Sequence, residues 1–387
     1  MLTFEAFTGI NNVVPAHRLK ASDLVNGQDV DIGLTGGITR RSGYTARSDQ
    51  CHKNLHQAAG FMLATCGPAL TAIHPDGARH VIHPALGSDR VWYCDLPDGR
   101  TTYSNGLIQG VTDGFSNAER TIPAPDRLGA VDQAFGGLTP GQYRYSLTYR
   151  RADGVESPAA SSESVTLSQG GLRLDALPAR DGMDLQVYLS GMDGEGGFLI
   201  GATSGSSFEW GGRNSELVLP CRTIGSREFP LGTITAFWRG RVLVAQGNVL
   251  WASRPMAPHL SDWRDFRPMP SRITAILPMD DGIYVGTDED LVWLAGTTFD
   301  ALAYLPRRCG PVVMGSGVLA PGKQVKLGDG TGSGTAGLCI AGGEIVAGFA
   351  GGQTFSLTDN RYITDTTEVC ATFRIEGGVP QYIAVPQ

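Results

Sequence analysis

The chain has 387 residues, with 53 glycines and 22 prolines beside a hydrophobic share of 41%, and a net charge of −7. That much glycine and proline, with enough apolar residue for a core, favours many short strands and tight turns over helices. The acidic balance excludes a general basic surface that would hold nucleic acid by neutralising phosphates.

The first fifty residues differ in texture from the rest. Phe7-Thr8-Gly9-Ile10-Asn11-Asn12 leads through Arg18-Leu19 and Ala21–Leu24 to Asp29-Val30-Asp31-Ile32-Gly33, where apolar residues alternate with aspartates as in a strand with one buried face. A turn over Leu34–Gly37 and a returning strand over Ile38–Tyr44 complete a hairpin. Arg40 and Arg41 lie on it as solvated surface charges, unless a partner takes them. The opening residues lack a signal peptide's charged start and apolar core. No stretch approaches the ~20 apolar residues of a membrane span.

From residue 51 to 130 the chain reads as the first part of a β-propeller. Phe61–Cys66, Ala69–His74, Arg79–His83, Arg90–Asp95 and Thr101–Ser104 are expected strands, and Asp76-Gly77 and Asp98-Gly99 are hairpin signals between them. Residues 117–137 read as a Pro- and Gly-rich connector. Residues 138–222 then alternate differently, beginning with the long run Gln142-Tyr143-Arg144-Tyr145-Ser146-Leu147-Thr148-Tyr149. About seven short strands in under a hundred residues is the requirement of an immunoglobulin- or fibronectin III-like β-sandwich, here inserted between blades.

The propeller texture resumes at Phe229 and runs to residue 387. Its clearest part holds Arg241–Ala245, Val249–Ser253, Ile273–Pro278, Gly282–Gly286 and Leu291–Ala295, separated by Gln246-Gly247-Asn248, Asp280-Asp281-Gly282 and Asp288-Glu289-Asp290. The fold class expected is all-β: a β-propeller interrupted by the sandwich.

Most chemical motifs fail on context. Gly332–Gly337 matches GxGxxG, but Leu338-Cys339-Ile340-Ala341-Gly342-Gly343 cannot open the helix a dinucleotide site needs. Gly317–Lys323 has Gln324 where a phosphate-binding loop places Ser or Thr. Cys51, His52, His56, Cys66, His80 and His83 lack paired ligand spacing, and the seven cysteines contain no CxxC, so free thiols in a reducing cytosol are expected and no cofactor or metal. The acids of 262–290 fall at turns, where Asp serves the backbone. Trp238, Trp251, Trp263 and Trp293 read as packing between blades.

Two passages resemble a known family. F-x-G-I-N-N, followed by D-V-D-I-G-x-T-G-G-I-T-R-R-S-G-Y, is similar to the opening of tail nozzle or hub proteins of short-tailed bacteriophages, and residues 248–296 resemble the blade repeat of that family. Gln142–Pro158 looks like the fibronectin-like insertion carried between its blades. The resemblance implies a non-enzymatic virion protein of the tail, assembled in the host cytoplasm. It would form a homo-oligomeric ring, with six copies as the expected order, below the portal and adaptor. A tail fibre or needle is a further partner, and DNA passes through the channel without specific binding. Arg40 and Arg41 become candidates for inter-subunit or adaptor salt bridges, and Asp280, Asp281, Asp288 and Asp290 candidates for channel acids. The rivals are a carbohydrate- or receptor-binding propeller at a tail tip or cell surface, and a propeller glycosidase or lyase.

Overall fold

The computed structural model describes residues 6–33, 35–46, 48–327 and 330–387. Leu34 of the expected turn, and Gly328 and Asp329 of the glycine-rich loop, lie outside the described residues. Among the described residues the regular structure is strand, with five one-turn 3₁₀ segments and no α-helix.

Five four-stranded antiparallel sheets form the body. Sheet I takes His52–Gln57, Met62–Cys66, Ala69–Ile73 and Arg79–His83. Sheet II takes Trp92–Asp95, Thr101–Ser104, Gln109–Thr112 and Asn117–Glu119. Sheet III takes Thr233–Trp238, Arg241–Gln246, Val249–Ala252 and Phe266–Pro268. Sheet IV takes Ile273–Met279, Gly282–Thr287, Leu291–Ala295 and Ala303–Pro306. Sheet V takes Val318–Pro321, Thr335–Ala341, Glu344–Gly348 and Thr354–Ser356. In each the strands pair in chain order, the up-and-down arrangement of a propeller blade.

The period of two explains how the sheets stack. In Arg241–Gln246, Val242 and Val244 pack with Cys94, Leu96 and Val111 of sheet II, while Leu243 and Ala245 pack with Ile276, Ile283 and Val285 of sheet IV. One strand therefore needs apolar residues at consecutive positions because both its faces are buried. Sheet IV repeats the device: Ile283 and Val285 face sheet III, and Tyr284 faces sheet V. Trp238 donates its indole N–H to the Met279 carbonyl at 2.7 Å, joining sheet III to sheet IV. The fold is all-β and propeller-like.

Between sheets II and III the chain builds two further sheets on one core. Ala130–Phe135, Gly170–Asp175 and Ser207–Trp210 form one, and Glu163–Leu167, Gly141–Arg151, Met183–Ser190 and Gly197–Thr203 the other. Tyr143, Tyr145, Leu147 and Tyr149 alternate inward against Leu172, Leu174, Leu185 and Val187. The segment expected as a connector over 117–137 thus carries two strands. Asn117–Glu119 is a short, largely exposed edge strand, and in Ala130–Phe135 only Ala134 is buried, so neither carries a strong apolar pattern.

The last sheet has only two strands. Val369–Glu376 and Val379–Pro386 form a hairpin whose turn, Gly377-Gly378, takes φ of 55° and 82°, the left-handed pair a type I′ turn requires. Phe373 and Tyr382 pack it on sheet V, and the Tyr382 hydroxyl donates to the Ser316 carbonyl at 2.7 Å. At its base Glu368 takes an ion pair from Arg90, which lies in the link between sheets I and II, at 3.0 Å.

Candidate functional site

Of the residues that carry the family resemblance, those of the opening passage form a tethered arm. Gly9–Ile10 pairs in parallel with Asp23–Leu24. Asn11 is buried: its side-chain amide donates to Asp23, and its carbonyl oxygen accepts from the backbone N–H groups of Val13 and Val14. Asn12 copies a strand residue with its side chain, donating to the Ile363 carbonyl at 2.7 Å and accepting from the Ile363 N–H at 2.9 Å. Arg361 adds an ion pair to Asp23 at 3.5 Å. Burial works against the charge of Asp23, but the Thr8 and Asn11 hydrogen bonds and the Arg361 guanidinium hold its carboxyl below the ordinary range. The two adjacent asparagines thus knot the start of the chain onto the segment before the C-terminal hairpin.

Beyond the knot the arm stands out. Val30–Ile32 pairs with Ile38–Arg40, and residues 37–46 are all exposed, Tyr44 at 96%. Gly36, at φ 80°, approaches the arm so closely that a Cβ would lie 2.7 Å from the Phe7 nitrogen. Arg40 is exposed at the end of its strand. Arg41 turns back on its own hairpin to bind Asp31 at 3.1 Å.

The four acids do not form one group. Asp280 and Asp281 make the turn after the first strand of sheet IV, and Asp288 and Asp290 the turn after the second, so the pairs sit at opposite ends of that sheet. Asp281 accepts from the Gly351 N–H at 2.6 Å. Asp290 accepts three backbone N–H groups, those of Arg308, Cys309 and Gly310, at 2.9, 2.7 and 3.2 Å. Asp280 and Asp288 are exposed.

The tryptophans divide. Trp238 and Trp293 are buried between sheets, with Trp293 4.5 Å from the Tyr284 ring. Trp251 is half-buried against Phe266 and under Arg227. Trp263 is 62% exposed and lines an open cleft with Asp262, Arg264, Asp265, Arg267 and Asp300. In that cleft Asp265 is itself buried and paired with Arg241 at 2.8 Å, and burial still raises its carboxyl above the usual range.

The glycine-rich run at 332–337 leads into the strand Thr335–Ala341. His56 pairs with Asp95 at 3.0 Å and stacks on Tyr93. Among the described residues no group of three or more His, Cys, Asp or Glu could hold a metal ion, and the seven cysteines are free. No helix among them is long and apolar enough to cross a membrane.

No protein-family model matches the sequence, and no curated protein does. Solved structures with a similar chain path include virginiamycin B lyase from Staphylococcus aureus, 12% identical over 87% of this chain and 93% of the other, with a TM-score of 0.33. The Dos1 propeller is 7% identical over 89% of this chain and 76% of the other, at 0.34. At such scores the likeness carries no argument, and the propeller-like class rests on the sheets themselves.

Proposed function

We propose that the protein is a non-enzymatic structural subunit of a ring, the tail nozzle or hub of a short-tailed bacteriophage, set below the portal and adaptor as a conduit for DNA ejection. The observation that carries this reading is the pairing of two surfaces that the fold leaves only partly covered among the described residues. One is the arm over residues 37–46. The other is the C-terminal hairpin, two strands where each blade-like sheet has four. Although Phe373 and Tyr382 pack this hairpin on sheet V, a two-stranded sheet has open strand edges, and such edges attract further strands. A neighbouring copy that adds strands to the hairpin supplies both stability and a closed ring. Arg40, the arm cation not engaged by Asp31, is then the better placed of the two arginines for a subunit or adaptor contact. The two sheets between residues 130 and 210, whose chain crosses repeatedly from one to the other over a common core, are read here as the immunoglobulin- or fibronectin III-like sandwich.

The test is the mass of the purified protein in solution and its shape by negative-stain imaging, alone and with portal and adaptor. A ring in either condition supports the reading. A monomer that never joins those partners overturns it.

The second reading, a carbohydrate-binding propeller, draws on Trp263, whose exposed ring beside carboxylates and arginines suits stacking on a sugar. Saturable glycan binding that Trp263→Ala abolishes would favour it over the conduit.

A further inference from the structure

We infer that the junction of sheets II and III with the inserted sheets is a binding site for a small oxyanion, a phosphate or carboxylate group, held by Arg120. A cavity of about 180 Å³ lies there. Its wall comes from Leu96, Arg100 and Thr102 of sheet II, Arg151 and Asp153 at the turn of the inserted unit, and His259 before sheet III ends. At roughly 30 Å³ of liquid volume per water, it has room for about six waters, and it falls below the ~300 Å³ of sites for larger ligands.

Arg120 is 3% exposed. Its guanidinium lies 4.3 Å over the Phe229 ring, and Nε donates to the Pro258 carbonyl at 3.3 Å, but Nη1 and Nη2 are buried with no partner. A guanidinium presents its donors as a rigid fork that fits two oxygens of one anion, so two idle nitrogens on a residue that borders the cavity are an incomplete bidentate site.

Charge bookkeeping agrees. Arg100 is paired with Asp98 at 2.7 Å and Arg151 with Asp153 at 2.8 Å. Burial lowers His259 to about 4, so its ring is neutral near pH 7. Burial likewise pushes the neighbouring Cys94 thiol up to about 12, leaving it protonated. Arg120, lowered by burial to about 10, stays charged. Its positive charge is the one in the cavity that no anion balances, and an uncompensated buried charge is costly to a fold. This site is independent of the ring reading and survives its failure.

The experiment is isothermal titration of the full chain with sodium phosphate and, separately, sodium acetate, in chloride buffer, using the native protein, Arg120→Met and Arg120→Lys. One-site binding that weakens tenfold or more in either folded variant is expected. The tighter of the two anions tells whether a phosphate or a carboxylate group is the ligand. Should Arg120→Met fail to fold by circular dichroism, Arg120→Lys carries the test, since it keeps the charge and loses the fork. If Arg120→Lys also fails, thermal melting of the native chain decides: a rise with phosphate or acetate beyond that with chloride at equal ionic strength supports the site. Absence of saturable binding and of any such rise, or unchanged binding in a folded variant, overturns it.

Discussion

Single residues divide here by what they do for the backbone. Asp290 sits in a turn, as its residue type suggests, but its work is done eighteen to twenty positions away, on three N–H groups of a loop it does not belong to. Replacing it by Ala leaves those donors without their carboxylate, and a loss of about 1–3 kcal/mol is expected in urea denaturation. A change below about 0.5 kcal/mol, the range of ordinary surface substitutions, would show the loop holds itself. The tryptophans give a paired expectation. Trp293→Ala empties a packed space between sheets IV and V and costs about 3–5 kcal/mol, while Trp263→Ala, on the surface, changes stability by less than about 0.5 kcal/mol. Equal losses would mean the cleft is packed in solution. Which Trp is exposed was not legible in the sequence, because each follows a similar strand-and-turn texture. Arg120 was missed altogether: it stands in a stretch that reads as a connector, and no local spacing announces that a long cation is enclosed by three distant segments.

At the scale of elements, strands buried on both faces were the legible ones. Leu291–Ala295 and Thr101–Ser104 are read from the sequence with the bounds they have in the fold, and Arg79–His83, an outer strand in which only Ile82 is buried, is marked instead by the Asp76-Gly77 turn before it. Ala303–Pro306 escaped notice for a plain reason: all four residues are exposed, so no apolar alternation marks them. The arm's opening motif was visible as a pattern, yet its meaning lay in Ile363, out of reach of any local reading. Two outcomes belong here. Amide exchange over residues 8–24 should quicken at least tenfold in Asn12→Ala, since two reciprocal hydrogen bonds to Ile363 are lost; unchanged protection would mean the knot is held elsewhere. Because the folded carboxyl of Asp23 lies below its unfolded value of about 3.9, its contribution is fully present above that pH and fades as pH falls through the folded value. Arm protection followed down from pH 7 should therefore hold to about pH 4 and then drop, and the drop should be smaller in Asp23→Asn. A decline that begins near pH 6 would point to histidine instead.

For the whole molecule the question is what covers the hairpin. Ile375 and Val385 are about half exposed on its two strands, at 52% and 53%. The double variant Ile375→Glu with Val385→Glu should fold as the native chain does and fail to form rings, read as a fall in mass by light scattering. Rings of native size would remove the hairpin from the interface. A net charge of −7 per chain also sets an expectation for the proposed conduit: duplex DNA should not be retained by the protein even at about 50 mM salt, where phosphate contacts are strongest. Retention that weakens steeply with added salt would reveal a basic lining that the total charge conceals.

The contact between Asn12 and Ile363 also fixes an order of events during synthesis. The two residues are 351 positions apart. At about 5–20 residues per second, the start of the chain waits on the order of 20–70 s on the ribosome before its anchor exists. Each sheet from I to V can close on its predecessor as it emerges, but the arm has no anchor until residue 363 is made. A chain cut short before residue 363 therefore never seats its arm.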